Sequence, residues 1–265
     1  RAALESLFGL ACGGRVDYEI VVVDNASTDQ TATVIAEAAA RSPVPLRGVC
    51  EPRPGVACAR NCGLDAARSD WIAFFDDDQL AHPDWLHELL AMAQSQGAVC
   101  VGGPCLPLLP ETCPPELSGV YGRLLEQTPR RDEACRYEGR MTPGTGNLLI
   151  HRSVFQRVGR FDETLHAAGE DTDLFRRIRA AGIDAWYAPQ AVVHHRITAE
   201  RLATPSLLRA QRRSGWVFAH RDRQRWGRWG LLAMALARAG QVAGLRFPQM
   251  LWAGARGDRA SLLVA

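Results

Sequence analysis

Trp71-Ile-Ala-Phe-Phe-Asp76-Asp-Asp78 is the stretch on which the reading of this chain turns. Five apolar residues in a row, ended by charge, fit a strand buried on both faces. Three adjacent carboxylates repel one another unless a cation compensates them. Hard cations such as Mg2+ and Mn2+ prefer oxygen ligands, and Mg2+ is commonly held by one or two carboxylates plus substrate phosphates. Viewed alone, a triple Asp also suits a solvated acidic turn that caps the next helix. Its place at a strand end favours the metal, because ligands of open α/β sheets sit beyond the carboxyl ends of the strands.

The flanking sequence extends this strand into a sheet. Tyr18-Glu-Ile-Val-Val-Val23 and Leu46 to Cys50 read as earlier strands, and Ala98 to Gly103 as a later one. Between them lie helical segments. One follows the turn Asn25-Ala-Ser-Thr-Asp29, where Ser27 or Thr28 can act as the cap, and runs to about Arg41. A second runs from about Val56 to Ala67, and a third opens at His82-Pro83 and ends near Gln96. This β-α-β-α order implies an α/β fold with a Rossmann-like, mainly parallel sheet flanked by helices. Pro104 to Pro115 holds five Pro and reads as a loop. Beyond it, Thr145 to Ile150 suggests a strand, Glu170 to Ala181 a helix, and Ala185 to Tyr187 and Ala191 to His194 short strands.

The net charge of +2 over 265 residues hides a split. From Arg196 onward, 13 Arg face Glu200, Asp222 and Asp258, which gives +10; the other 18 Arg face 26 acids, which gives −8. Two regions are therefore expected, 1–195 and a basic, mostly helical extension over 196–265. Arg209, Arg212, Arg213, Arg221, Arg223, Arg225 and Arg228 cluster there with Trp216, Trp226 and Trp229. Arg with Trp suits an anionic membrane surface, and a solvated helix equally. The longest apolar run, Leu231 to Ala237, is far short of the ~20 residues of a membrane span. No nucleic-acid-binding module is recognisable. None of the eight Cys forms a C-x-x-C pair, which argues against a zinc ribbon and for reduced, structural thiols in a cytoplasmic protein.

Further clusters accompany the triple Asp. Asp24 closes the first strand and, with Asn25, can accept or donate to a base edge or ribose; an N-capping turn is the plainer reading of Ser27 to Asp29. Arg60 and Asn61 lie on the second helix, where Arg can offset phosphate charge or stack on a base. Glu170 and Asp171 open a helix, where the dipole favours carboxylates. His194-His195 follows a short strand; such a pair is more often structural than a ligand, but His is also a common metal ligand, and His194 is the candidate. The haloacid-dehalogenase-type phosphatases also place paired Asp after a strand as Asp-x-Asp-x-Thr/Val, but here the fifth position is Leu80 and the chain has no Lys.

Six segments together resemble the family 2 glycosyltransferases of the GT-A fold: Ile20 to Asp29, Gly55 to Gly63, Trp71 to Asp78, Gly144 to Ile150, Val158 to Glu163 and Gly169 to Leu174. The resemblance covers about residues 1–195. It implies an inverting transfer of a hexosyl group from a nucleoside-diphosphate sugar to a hydroxyl acceptor, in polysaccharide or glycolipid assembly. It implies that Asp24, Asn25, Arg60, Asn61, Asp76 and Asp77 border the nucleotide. Asp76 and Asp78 are the D-x-D pair that would hold Mg2+ or Mn2+, with His194 as a weaker ligand. Asp171 is the implied base and Glu170 its support; Gly144, Thr145, Gly146 and Asn147 would line the donor sugar and acceptor. A lipid-linked acceptor would fit peripheral contact of 196–265 with the inner face of the cytoplasmic membrane. The family begins with a further strand of the type V-S-V-V-I-P-x-Y-N-R, so the chain is expected to lack its first strand. A sugar nucleotidyltransferase shares this architecture but would want a Gly-rich, basic N-terminal loop, which is not visible. A non-catalytic nucleotide-binding or scaffold protein is the second alternative.

Overall fold

The computed structural model describes residues 1–12, 16–115, 118, 119, 121, 125, 128, 130–139, 141–165 and 169–246. The chain forms two compact units, Arg1–Pro107 with Gln127–Arg196, and Leu108–Glu126 with Ile197–Ala265. Its first part runs α1 (Ala2–Phe8), β1 (Ile20–Asp24), α2 (Thr31–Arg41), β2 (Leu46–Cys50), α3 (Val56–Ala66), β3 (Trp71–Phe75), β4 (Gln79–Ala81), α4 (Trp85–Gln96), β5 (Cys100–Gly102) and β6 (Cys105–Leu108). It continues through β7 (Cys135–Arg136), β8 (Asn147–His151), α5 (Arg152–Val158), α6 (Glu170–Ala180), β9 (Trp186–Tyr187) and β10 (Val193–Arg196).

The strands make a five-stranded sheet ordered β3-β8-β5-β9-β7, a three-stranded sheet ordered β4-β10-β6, and the pair β1-β2. The fold is α/β with sheets flanked by helices, as expected; in the five-stranded sheet β3, β5 and β9 run one way and β8 and β7 the other. β1–β2 and β5–β9 are parallel, whereas β3–β8, β5–β8, β7–β9 and β4–β10 are antiparallel. Local periodicity reports that a strand exists, not which way it enters the sheet. β8 slots antiparallel between β3 and β5.

Alternation along the strands splits the core into two layers. Ile72 of β3, Leu148 and Ile150 of β8 and Cys100 of β5 pack with Leu64, Phe155, Leu174 and Ile178 of α3, α5 and α6. Their neighbours Trp71, Ala73, Phe75, Leu149 and Val101 belong to the cluster of Trp85, Leu86 and Leu89 on α4. Leu148, Leu149 and Ile150 are at most 1% exposed, and burying each such side chain contributes ~1.5–3 kcal/mol. Helices on both faces thus hold β3 rigidly, and β3 carries the acidic turn.

Some boundaries differ from the reading above. α2 starts at Thr31, because Asp29 rather than Ser27 or Thr28 takes the orphan amide: its Oδ1 accepts from Thr31 N at 3.0 Å and Thr31 Oγ1 at 2.6 Å. α4 starts at Trp85, after a turn closed by Trp85 N donating to His82 O. β6 lies inside the Pro-rich segment; it is an edge strand, where Pro107 leaves no central ladder bond unmade.

The second unit contains α7 (Ala199–Leu202) and α8 (Thr204–Gln241). Gly227, at φ 66° and ψ −172°, breaks α8 into two arms. Buried Asp222 pairs with Arg238 at 2.6 Å. In a straight helix these residues would stand about 24 Å apart, so the arms fold back at Gly227. Trp226, Trp229, Leu232 and Leu236 are exposed near the bend. Among the described residues no helix is long and apolar enough to cross a membrane. The side chains of Arg213, Arg221, Arg225 and Trp216 lie outside the described residues. None of the eight Cys is in a disulfide.

Candidate active site

β3 ends at Phe75 and releases Asp76, Asp77 and Asp78 into a tight turn. The turn is clamped by Gln79, which is fully buried: its Oε1 accepts from Asp76 N at 3.1 Å, and its own N donates to Asp76 O at 3.2 Å. Asp77 is exposed; Asp76 and Asp78 are partly buried. Asp78 Oδ2 lies 3.1 Å from His195 Nε2, and Arg196 N donates to Asp78 O. The imidazole beside the turn is therefore His195, which corrects the expectation for His194. β10 pairs with β4 so that His195 opposes Gln79 and His194 opposes Leu80. Successive strand residues point to opposite faces, so only one of the two His can meet Asp78. Burial lowers the pKa of His194, and His82 adds to the effect.

Gly146 lies against the same turn. A β-carbon there would sit 2.6 Å from Asp76 Oδ2 and 2.3 Å from Gln79 Nε2, so only glycine fits. Gly146 thus lies against the D-x-D turn; in the same segment Gly144 is partly exposed and Thr145 buried. Asn147 departs from the expectation that it lines a sugar. It is 1% exposed, donates to Pro104 O and Ala191 O, and accepts from Trp85 Nε1 at 2.8 Å. Its amide is consumed in fastening β8 to the neighbouring loops.

Arg60 of α3 connects the acidic turn to α6. Its Nη1 donates to Glu170 Oε1 at 2.5 Å, its Nη2 lies 3.5 Å from Asp76 Oδ1, and its guanidinium stands 5.7 Å over the Phe161 ring. The side chain is 12% exposed. Glu170 is buried, and among the described residues its Oε2 has no hydrogen-bond partner. Next to it, Asp171 is partly buried at the first turn of α6; Thr172 donates to its Oδ1 through both N and Oγ1. Its other oxygen makes no bond among the described residues.

Two asparagines expected at the nucleotide are committed inward. Asn61 is 5% exposed; Phe161 N donates to its Oδ1, and its Nδ2 donates to Phe161 O and Glu163 Oε1. Asn25 donates to Glu51 O and Arg53 O and accepts from Gly55 N at 2.8 Å. Both hold loops in place. Arg53, absent from the sequence reading, ties these loops together through Glu51 and Glu163, at 2.8 and 2.7 Å. It holds the Glu51 carboxyl down at about 2. Asp24 Oδ1 accepts from Ser27 N at 3.1 Å, so this side chain also closes its own turn.

Burial pushes the Asp76 carboxyl upward; Arg60 opposes the rise, and Asp78 and Asp77 add to it. Such charge crowding is what a divalent cation relieves. Among the described residues no group of three or more His, Cys, Asp and Glu is already arranged to hold one. Two carboxylates, Asp76 and Asp78, are the kind of donor that Mg2+ takes in phosphate-handling sites, where phosphate and water complete its shell.

The fold is that of a GT-A glycosyltransferase. The sequence matches the family described as "Glycosyltransferase like family 2" over residues 2–228, and the chain belongs to that family. Among its relatives is the succinoglycan biosynthesis protein ExoM of Rhizobium meliloti (strain 1021), 30% identical over 250 residues, covering 91% of this chain and 77% of that protein. Another is validoxylamine A glucosyltransferase of Streptomyces hygroscopicus subsp. jinggangensis (strain 5008), 32% identical over 63% of this chain and 45% of that protein. In fold the chain is similar to S. aureus TarS 1-349, solved with UDP-GlcNAc, at a TM-score of 0.55 and 16% identity; it spans 54% of that chain, and 74% of its own length is matched. It is also similar to GalNAc-T7, solved with UDP, GalNAc and Mn2+, at a TM-score of 0.55 and 17% identity, over 77% of this chain and 44% of that one.

Proposed function

We propose that this chain is an inverting, metal-dependent hexosyltransferase that uses a nucleoside-diphosphate sugar and a hydroxyl acceptor in surface polysaccharide or glycolipid assembly. The observation that carries this reading is the Arg60 bridge, which joins the D-x-D turn to the carboxylates that open α6. The succinoglycan role in the name of one relative and the glucosyltransferase name of another support the substrate class. Asp24 and the loops held by Asn25 and Asn61 would form the nucleoside wall, with Asp77 at its rim. Asp76 and Asp78 would hold Mg2+ or Mn2+, with His195 in reach. That ion would neutralise charge on the departing diphosphate. Gly144 to Gly146 would border the sugar. Asp171, with one free oxygen, takes the acceptor hydroxyl's proton, and the hydroxyl displaces the diphosphate at the anomeric carbon with inversion.

The test is Asp171→Asn. Loss of the base is expected to slow transfer by about 10²–10⁴-fold with the melting temperature kept. Transfer at the wild-type rate removes Asp171 from that role. Titrating Mn2+ with UDP, GDP or dTDP against thermal stability addresses the rest; no stabilisation by any pair favours a non-catalytic scaffold.

The same reading assigns catalysis to residues 1–195 and peripheral membrane contact, at the inner face of the cytoplasmic membrane, to 196–265. The exposed Trp226 and Trp229 beside Arg223 and Arg228 support an anionic, lipid-facing surface.

A further inference from the structure

We infer that Arg60 is a positioning residue that links donor binding at Asp76 to the aim of Asp171, and is not a ligand of the nucleotide. The inference rests on the glycosyltransferase reading of the site. A guanidinium that grips phosphate must present open N–H groups to it. Arg60 is 12% exposed, bonded to Glu170, close to Asp76 and seated over Phe161. Its position on α3 is itself fixed, because neighbouring Asn61 is locked to the 161–163 loop from both sides.

The partition of its bonds is uneven. The contact to Glu170 is 2.5 Å and the contact to Asp76 is 3.5 Å. A cation held by Asp76 would compete with Arg60 for that carboxylate and leave Glu170 as the main partner of the guanidinium. Glu170 opens α6, with Asp171 as the next residue. Among the described residues the other Glu170 oxygen has no partner, so Arg60 is the described group that orients this carboxylate. Removing Arg60 would leave a buried carboxylate uncompensated at the start of α6, and the base beside it would be misaimed. A small misplacement of a reacting group costs about 10²-fold in rate. The planar fork meets two carboxylates at once, which a single ammonium point charge does not reproduce.

The experiment uses Arg60→Lys, Arg60→Ala and Glu170→Gln, alone and combined, in the full chain. Two readings are taken: binding of UDP, GDP and dTDP with Mn2+ by thermal shift, and transfer from the sugar nucleotide on which the wild type is active. Positioning predicts that both Arg60 variants lose transfer about 100-fold, with nucleotide affinity within about threefold of wild type, and that Arg60→Ala with Glu170→Gln is no slower than the slower single variant. Lys restores little. Affinity falling in step with transfer makes Arg60 a nucleotide ligand and overturns the inference. Additive losses in the double variant, or a Lys variant at wild-type rate, overturn it too. A wild type that neither binds a nucleoside diphosphate nor transfers sinks the glycosyltransferase reading, and this inference with it.

Discussion

Burial holds the Asp76 carboxyl above its ordinary range, with Asp78 and Asp77 on the same side of the balance and Arg60 opposing. A carboxylate with a raised native pKa is ionised at a cost to the fold. That cost is absent below the unfolded value near 3.9 and is fully present once pH has risen through the native pKa. Asp76→Asn is therefore expected to raise the metal-free melting temperature at pH 7 and to leave it unchanged near pH 3. An equal shift at both values would contradict the burial argument. The two histidines separate at this scale as well. His195→Ala is expected to weaken Mn2+ binding about 10–100-fold, as losing a ligand or its orienting partner does, while His194→Ala leaves it near wild type. Titration of Mn2+ against melting temperature distinguishes them. The His-His pair was visible in the sequence, but the choice between its members follows from the β4–β10 register, and the three-residue β4 carries no periodicity from which to read it.

At the scale of elements, β8 is the keystone. It lies between β3 and β5, and its first residue, Asn147, bonds to Trp85, Pro104 and Ala191. Asn147→Ala strands Trp85 Nε1 and Ala191 O, at about 1–3 kcal/mol each when unpaired, while Pro104 O keeps its bond from Val193 N. The expected loss of stability is about 3 kcal/mol, measured by denaturant unfolding, with the midpoint lowered and little change in nucleotide affinity per folded molecule. A polar residue in a Gly-Thr-Gly-Asn run reads as a ligand in one dimension. Only the contacts reveal that its polarity is spent on the frame. The strands β1 and β3 were legible because each is a run of apolar, largely β-branched or aromatic residues ended by Asp. The two-residue strands β7 and β9 exist because of their partners.

Across the whole molecule, charge divides more sharply than composition suggests. The region 196–265 carries +10 and leaves Trp229 72% exposed and Leu236 66% exposed. Arg228 stands 5.5 Å over the Trp229 ring, an amphipathic pairing suited to a headgroup layer. Trp226→Ala with Trp229→Ala is expected to reduce co-sedimentation with vesicles containing anionic phosphatidylglycerol, and high salt to reduce it further. Unchanged binding would remove this surface from the membrane. Arg and Trp were evident as a composition in the sequence. The bend at Gly227, across which Asp222 pairs with Arg238, was not.

The sequence by itself determined the family, the strand-end position of Asp76 to Asp78 and the acidic start of α6, because each is a local pattern of residue type and spacing. Tertiary structure alone decided the direction of β8, the choice of His195 over His194, and the inward commitment of Asn25, Asn61 and Asn147. It also decided that Arg60 stands between Asp76 and Glu170, partners 16 and 110 residues away in the chain. A hydrogen bond depends on separation in space, and the distance between two residues along the chain carries no information about which of several polar candidates will be the one within reach.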